Sequence, residues 1–315
     1  MEIKNIRIAF MGTPDFATTI LEGLINHGYN VVAVISQPDK EVGRKKIIEP
    51  TPVKKVALKY GINVYQPIKI RKDFSFFEEI KPDLIITCAF GQIVPQEVLD
   101  FPPYGCINVH GSLLPSYRGG APIQRAIMNG DKKTGITIME MIAEMDAGKM
   151  YSKAEVNIDI NDTYDDLSQK LQIKGRDLLL ETLPSYLDFS LKGEEQNKEK
   201  VTYAFNIKRE EEKIDWYRSS LDIHNHIRGL SSNPATYTML EDKELKVFKS
   251  KLLDIKVDGM FEPGTIAKCD KNGFIVKTLD GFIHLEEIQL QGKKRMFYKD
   301  FVNGLKENIV GKKFN

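Results

Sequence analysis

The chain has 315 residues, 42% hydrophobic and 28% charged, a globular balance that excludes collagenous and disordered classes and, at roughly 100 to 200 residues per domain, fits two domains. Its 45 Lys and Arg nearly cancel its 44 Asp and Glu, so no strong overall field attracts nucleic acid, and any such contact must come from local patches. The 3 cysteines Cys88, Cys106 and Cys269 are odd in number and form no CxxC pair, which argues against a disulfide framework or zinc knuckle and fits a reducing compartment.

In chain order, residues 2–7 mix apolar and charged side chains. No later segment approaches the ~18 uninterrupted apolar residues of a membrane span, so the chain reads as unprocessed, soluble and cytoplasmic. Residues 6–11 are a short apolar run, followed by Gly12-Thr13-Pro14-Asp15 and then helical spacing over 16–25; the pattern is strand, turn and helix. Residues 31–35 and 83–90 are further runs of strand length, separated by helix-compatible stretches such as 51–60. Such alternation predicts an α/β fold with a parallel sheet covered on both faces.

Residues 106–110, 135–141 and 151–158 continue the strand series, and 162–191 reads as a long helix with Leu167, Leu171, Leu178 and Leu179 on its apolar face. That helix closes a first domain at residues 1–189. Residues 192–200 offer almost nothing to bury, so 190–207 reads as an exposed linker to a second domain at 208–315. There, 219–230 has helical spacing, and β-rich runs at 244–253, 264–269, 273–278 and 281–289 break at Gly, Asp and Asn, which predicts a small OB-like β-barrel.

The densest chemical signal lies where the strand at 106–110 ends. Alternation puts Asn108 and His110 on one face, with Ile107 and Val109 on the other. In open parallel sheets, ligands sit beyond the carboxyl ends of strands, so an amide and an imidazole converge on a crevice. Asp146, in Met145-Asp146-Ala147-Gly148 after the strand at 135–141, adds an acid in a loop of small residues suited to a close ligand. Spacing alone equally fits a turn-capping Asn108, a core His110 and a turn Asp146.

Asn108, His110 and Asp146, with the stretch from Ser112-Leu113-Leu114-Pro115 through Tyr117-Arg118-Gly119-Gly120 to Ile123, resemble the core motif of the folate-dependent formyltransferase family. The resemblance implies a Rossmann-like, mostly parallel catalytic domain and 10-formyltetrahydrofolate as formyl donor. It also implies Asn108, His110 and Asp146 as the catalytic trio, with Ser112, Leu113, Leu114 and Pro115 at the folate site. The residue types suit the chemistry. An amine attacks the formyl carbon, an oxyanion forms, and donors from Asn108 and an imidazolium His110 stabilise it. Asp146 would favour the charged imidazole, fix its tautomer, and hold a water that moves the amine proton. No covalent nucleophile is needed. His224 and His226, two apart in a helix, share no face, and no metal is expected.

The trio does not name the acceptor. Gln37 to Lys46, leading to Pro50-Thr51-Pro52-Val53-Lys54, reads as a long polar loop and resembles the basic loop of the tRNA-specific members. Arg44, Lys45 and Lys46 can pair with phosphates, and Arg can stack on an unpaired base; a solvated surface loop fits the same residues. Lys45 stands where the family often has Gly. Further on, Ile214-Asp215-Trp216 and Ile227-Arg228-Gly229-Leu230 resemble family segments, and Trp216 is expected to anchor the core. Ala235 stands where Gly commonly follows the proline.

Pro263 to Ile266 and Gln289 to Met296 extend the similarity to nearly the whole chain. Lys293, Lys294 and Arg295 form a basic cluster, and Lys246, Lys249 and Lys251 add charge along a strand, a platform for RNA phosphate. The resemblance thus implies formyl transfer to the amino group of methionyl-initiator tRNA; a monomer without membrane contact is the default expectation. A formyltransferase acting on a sugar-nucleotide amine would share the trio but needs no such loop or barrel. A nicotinamide oxidoreductase fails because the first turn lacks GxGxxG. A non-catalytic RNA-binding protein leaves an intact trio unexplained.

Overall fold

The computed structural model describes residues 5–42, 47–255 and 259–315. Two compact units emerge. The first runs to Pro122 and adds Lys133–Asn157 and Ser168–Phe205; the second comprises Ile123–Lys132, Ile158–Leu167 and Asn206–Asn315.

The first sheet comprises β1 (Arg7–Gly12), β2 (Asn30–Ile35), β5 (Val64–Tyr65), β6 (Leu84–Cys88), β7 (Cys106–His110), β8 (Lys133–Glu140) and β9 (Met150–Asn157); β3 (Lys40–Val42) and β4 (Ile47–Glu49) form a separate hairpin. Helices α1 (Asp15–Asn26), α2 (Pro52–Lys59), α3 (Phe77–Ile80), α4 (Gln96–Leu99) and α5 (Pro122–Met128) lie between the strands in the chain, and α6 (Tyr164–Leu187) follows β9. The order is β5-β2-β1-β6-β7-β8-β9. Pairing is parallel from β5 to β7 and antiparallel at β7–β8 and β8–β9, so the sheet is Rossmann-like and mostly parallel.

The parallel strands are continuous apolar runs because both faces are covered; β6 is buried at every residue. On one face Ala9, Ile85 and Cys106 pack with Phe77, Val98 and Leu99 from α3 and α4. On the other, Gly175 of α6 brings that helix against Val109 of β7 and Ile20 of α1. Asn108 and His110 therefore continue the Cys106 face, past the point where the apolar cluster ends. Local signals set the helix starts: Thr51 caps α2 by accepting the Lys54 amide at 3.3 Å, and Pro52 occupies its first turn. The chain switches direction at β1, with β2 on one side and β6 on the other, which places a ligand crevice at the carboxyl ends of these strands.

Two segments differ from expectation. Strand β3 lies within the polar loop at 37–46 and pairs with β4 just beyond it, and three-residue strands are too short to show a period. Most of the segment 190–207 is exposed, as a linker is expected to be, but its residues up to Phe205 belong to the first unit and are laced to it. Glu194 and Met150 exchange backbone hydrogen bonds at 2.8 Å, and the Ala204 amide donates to the Arg118 carbonyl at 2.7 Å. Gln196 and Ala204 are buried. A polar sequence reads the same whether its groups meet water or protein partners, so composition could not reveal this.

The second unit contains α7 (Ser220–Leu230), β10 (Thr236–Leu240), β11 (Lys243–Leu253), β12 (Ile266–Asp270), β13 (Gly273–Lys277), β14 (Phe282–Leu290), β15 (Met296–Phe297) and α8 (Tyr298–Asn303). Its antiparallel sheet runs β10-β11-β14-β13-β12, with β15 paired to β14. The C-terminal tail joins its two edges: the Ile266 amide donates to the Lys312 carbonyl at 2.9 Å, and Met239 and Asn315 exchange backbone bonds at 3.2 and 3.1 Å. This satisfies edge groups that would otherwise be unpaired and gives the small barrel its closure. Trp216 sits in the core, stacked on Phe314 at 5.3 Å, and its Nε1 donates to Thr238 Oγ1 at 3.0 Å.

Candidate active site

β7 carries Asn108 and His110 to the carboxyl edge of the sheet, where Thr87 at the end of β6 lies alongside Asn108 in parallel register. Thr87 Oγ1 lies 2.8 Å from Asn108 Oδ1. Donation by this hydroxyl assigns Oδ1 as acceptor and leaves Nδ2 as the donor end of the amide. Asn108 is partly accessible, whereas His110 is buried.

His110 Nε2 lies 3.0 Å from the Tyr117 carbonyl oxygen. A carbonyl can only accept, so Nε2 carries the proton, and the tautomer is set by Tyr117 rather than by Asp146 as expected. Nδ1 faces Asp146 Oδ1 at 3.7 Å, too long for a hydrogen bond. Asp146 Oδ2 accepts the Gly119 amide at 2.8 Å. Asn108, His110 and Asp146 are thus gathered at one place, from β7 and the β8–β9 loop.

The loop geometry explains its small residues. Asp146 has φ 50, a left-handed conformation that Asp tolerates better than most residues. At Gly148 an added Cβ would sit 2.1 Å from the Glu140 carbonyl oxygen, so only glycine fits between the two strands. Gly119 has φ 123, and a Cβ there would meet the Ala204 carbonyl oxygen at 2.7 Å.

In the segment 112–115, Ser112 and Leu114 are buried and shape the loop. Ser112 Oγ donates to the Ser116 carbonyl at 2.6 Å, and Thr137 Oγ1 donates to the Ser112 carbonyl at 2.7 Å. Leu114 packs with Met139 and Met150, while Leu113 and Pro115 are only partly covered. The loop therefore offers a partly open apolar wall beside the polar trio.

At the carboxyl ends of β1 and β2 lies a cavity of about 580 Å³ lined by Thr13, Asp15, Gln37, Lys40, Thr51 and Lys55, among others. The hairpin beside it is anchored at its base: Lys54 Nζ donates to Asp39 Oδ2 and Gln66 Oε1, both at 2.6 Å. Arg44, Lys45 and Lys46 lie outside the described residues. In the second unit, Lys293 and Lys294 are exposed. Arg295 is already committed, with two bonds of 2.7 Å to Glu287 and its guanidinium 4.1 Å from the centre of the Phe248 ring. Lys249 pairs with Glu286 at 3.6 Å and Lys246 donates to the Pro234 carbonyl at 3.2 Å, so the strand's charge is partly neutralised.

His224 and His226 are buried and structural: their Nε2 atoms donate to the carbonyls of Ile160 and Glu211 at 3.1 and 2.7 Å. Burial lowers the pKa of both. Among the described residues, no group of three or more His, Cys, Asp and Glu could hold a metal ion, and no helix is long and apolar enough to cross a membrane. Sequence reasoning missed Thr87, the Tyr117 carbonyl and Gln196 as parts of the site. Tyr117 and Arg118 fell within the recognised motif, but Gln196 lay in the stretch read as linker and gave no signal.

The formyl transferase family matches residues 5–183, and the formyl transferase C-terminal domain matches residues 206–306. The chain is 50% identical to the methionyl-tRNA formyltransferase of Bacillus subtilis (strain 168) over 301 residues, covering 95% of this chain and 94% of that protein. It is 47% identical to the methionyl-tRNA formyltransferase of Macrococcus caseolyticus over 311 residues, 98% of this chain and 99% of that one. Among solved structures, HypX from Aquifex aeolicus in complex with tetrahydrofolic acid shares the fold at TM-score 0.68 and 17% identity, across 96% of this chain and 48% of HypX; the chain spans about half the length of that protein. With both domains matched and relatives at about half identity along nearly all of its length, the chain belongs to the formyl transferase family, among its methionyl-tRNA formyltransferases.

Proposed function

We propose that the cleft around Asn108, His110 and Asp146 is where a formyl group passes from 10-formyltetrahydrofolate to the amino group of methionyl-initiator tRNA. The observation that carries the acceptor is the 50% identity to a methionyl-tRNA formyltransferase across 95% of the chain. The enzyme is a methionyl-tRNA formyltransferase, and its family draws on a folate-derived formyl donor. The partly open apolar wall of Leu113 and Pro115 beside polar groups fits a flat amphipathic ring, and the folate supplies the formyl group.

Each residue has a role that its contacts support. Asn108, its Oδ1 engaged by Thr87, presents Nδ2 to the formyl oxygen as negative charge builds there. His110, fixed through Nε2 by Tyr117, works through Nδ1, which when protonated is the second donor to that oxygen. Asp146, directly or through water, receives the proton leaving the amine and can return it to the folate nitrogen as the C–N bond to the formyl group breaks and tetrahydrofolate leaves. Arg44, Lys45, Lys46, Lys293 and Lys294 are the RNA-facing cations of this reading. Arg295, held by Glu287, serves it less directly. The working arrangement is a cytoplasmic monomer, with a catalytic domain at 1–189, a joining segment at 190–207 and a tRNA-binding domain at 208–315.

The test supplies the protein with 10-formyltetrahydrofolate and either methionyl-initiator tRNA or a sugar-nucleotide amine. Formylmethionine recovered from the tRNA, with little transfer to the sugar, supports the reading; the opposite preference overturns the acceptor assignment. Arg44→Ala is expected to raise KM for the tRNA several-fold while leaving folate affinity unchanged. Equal loss of both would remove Arg44 from the acceptor site.

A further inference from the structure

Gln196 is buried, and every hydrogen-bonding atom of its amide is in use. Nε2 donates to the carbonyls of Asp146 and Gly148, both at 2.8 Å, and Oε1 accepts from Arg118 Nε at 3.1 Å. The first two bonds hold the left-handed turn that presents the Asp146 carboxylate. The third holds the residue that follows Tyr117, whose carbonyl fixes His110. Arg118 is itself buried and tied on its far side to Glu144 at 3.0 Å. The two loops flanking His110, bonded to each other through Gly119 and Asp146 and through Arg118 and Glu144, are therefore also joined through one amide, carried by a segment that backbone bonds at Glu194 and Ala204 pin to the same unit.

We infer that Gln196 is a positioning residue for the reaction, acting through Asp146 by clamping the Asp146–Gly148 turn and the Tyr117–Arg118 turn in the relative places that set the spacing of the Asp146 carboxylate from the His110 ring. The inference rests on the reading of Asn108, His110 and Asp146 as the catalytic trio. Its chemical content is the donor end of the amide. A glutamate of the same size keeps the volume and the bond to Arg118, yet its carboxylate faces two carbonyl oxygens to which it cannot donate. Displacements of the order of 1 Å in a catalytic group cost roughly 100-fold in rate.

The experiment measures steady-state formyl transfer and thermal unfolding for the full chain, Gln196→Ala, Gln196→Glu, Asp146→Asn and the Gln196→Glu/Asp146→Asn double variant. The expected result is a kcat lower by about 10- to 100-fold in both Gln196 variants, with KM for folate and tRNA within two-fold of the parent and a cooperative melt retained. In the Asp146→Asn background, Gln196→Glu should cost little more, because residues acting through one another are non-additive. Parental kcat in Gln196→Glu, or a full additional loss in the double variant, overturns the inference. Should Gln196→Ala fail to fold, Gln196→Glu and the double variant still decide. Parental activity in Asp146→Asn would instead overturn the trio assignment on which the inference stands.

Discussion

At the residue scale, the site is made by groups that restrain one another. The face shared by Asn108 and His110 followed from strand alternation, whereas joining Asp146 to them rested on the resemblance to the formyltransferase motif. What alternation could not supply was the tautomer of His110, because that depends on the Tyr117 carbonyl, seven residues on and brought back by a turn. Nor could it supply Gln196, whose partners lie 50, 48 and 78 positions away. Ala235 resolves a departure from the family pattern: it has φ 69, the conformation that glycine adopts freely and that costs another residue roughly 1–2 kcal/mol. The requirement for glycine is more severe at position 148, where a methyl group would collide with the Glu140 carbonyl. Gly148→Ala should therefore shift the Asp146 turn and lower kcat by roughly 10- to 100-fold, read in the formyl-transfer assay. Unchanged turnover would show that the turn tolerates displacement.

At the scale of elements, most strands were legible as apolar runs of strand length and the long helices as periodic sets of buried side chains. The β3–β4 hairpin, the short β5 and β15 and the four-residue helices α3 and α4 were not, since elements of two to four residues carry no period. The closing tail of the barrel was also hidden, because its bonds to β10 and β12 come from residues far apart in sequence. Phe314 in that tail packs against Trp216 and Phe274. Phe314→Ala should destabilise the second unit by about 3–5 kcal/mol and red-shift the fluorescence of Trp216, the sole tryptophan; a parental melt and spectrum would contradict that role. Helix α7 adds a pH dependence. Burial lowers the pKa of His224 and His226 in the fold, so the unfolded chain, whose histidines titrate near 6.5, takes up protons first as pH falls. Stability is then complete above about pH 6.5 and declines as pH drops through that value toward the lowered folded pKa, by at most about 1.4 kcal/mol per pH unit for each histidine. His226→Gln, which keeps a donor for the Glu211 carbonyl, should flatten the urea-unfolding stability between pH 7.5 and 5.5; an unchanged slope would refute the assignment.

At the scale of the whole molecule, a net charge of +1 leaves RNA recognition to local groups. Among the cations expected to face RNA, Arg295, Lys246 and Lys249 have protein partners, while Lys293 and Lys294 are exposed. The two-domain division and the formyltransferase assignment were legible because the recognised motifs span nearly the whole chain. The anchoring of the 190–207 segment was not, because it is made of backbone bonds and a few side-chain bonds to residues far away in sequence. The most direct test of the account is single-turnover formyl transfer from 10-formyltetrahydrofolate to methionyl-initiator tRNA by the parent chain and by His110→Ala, both saturated with folate. The account predicts formylmethionyl-tRNA from the parent and a rate roughly 100- to 1,000-fold lower from His110→Ala, with a native melting curve. Equal rates from the two proteins would contradict it.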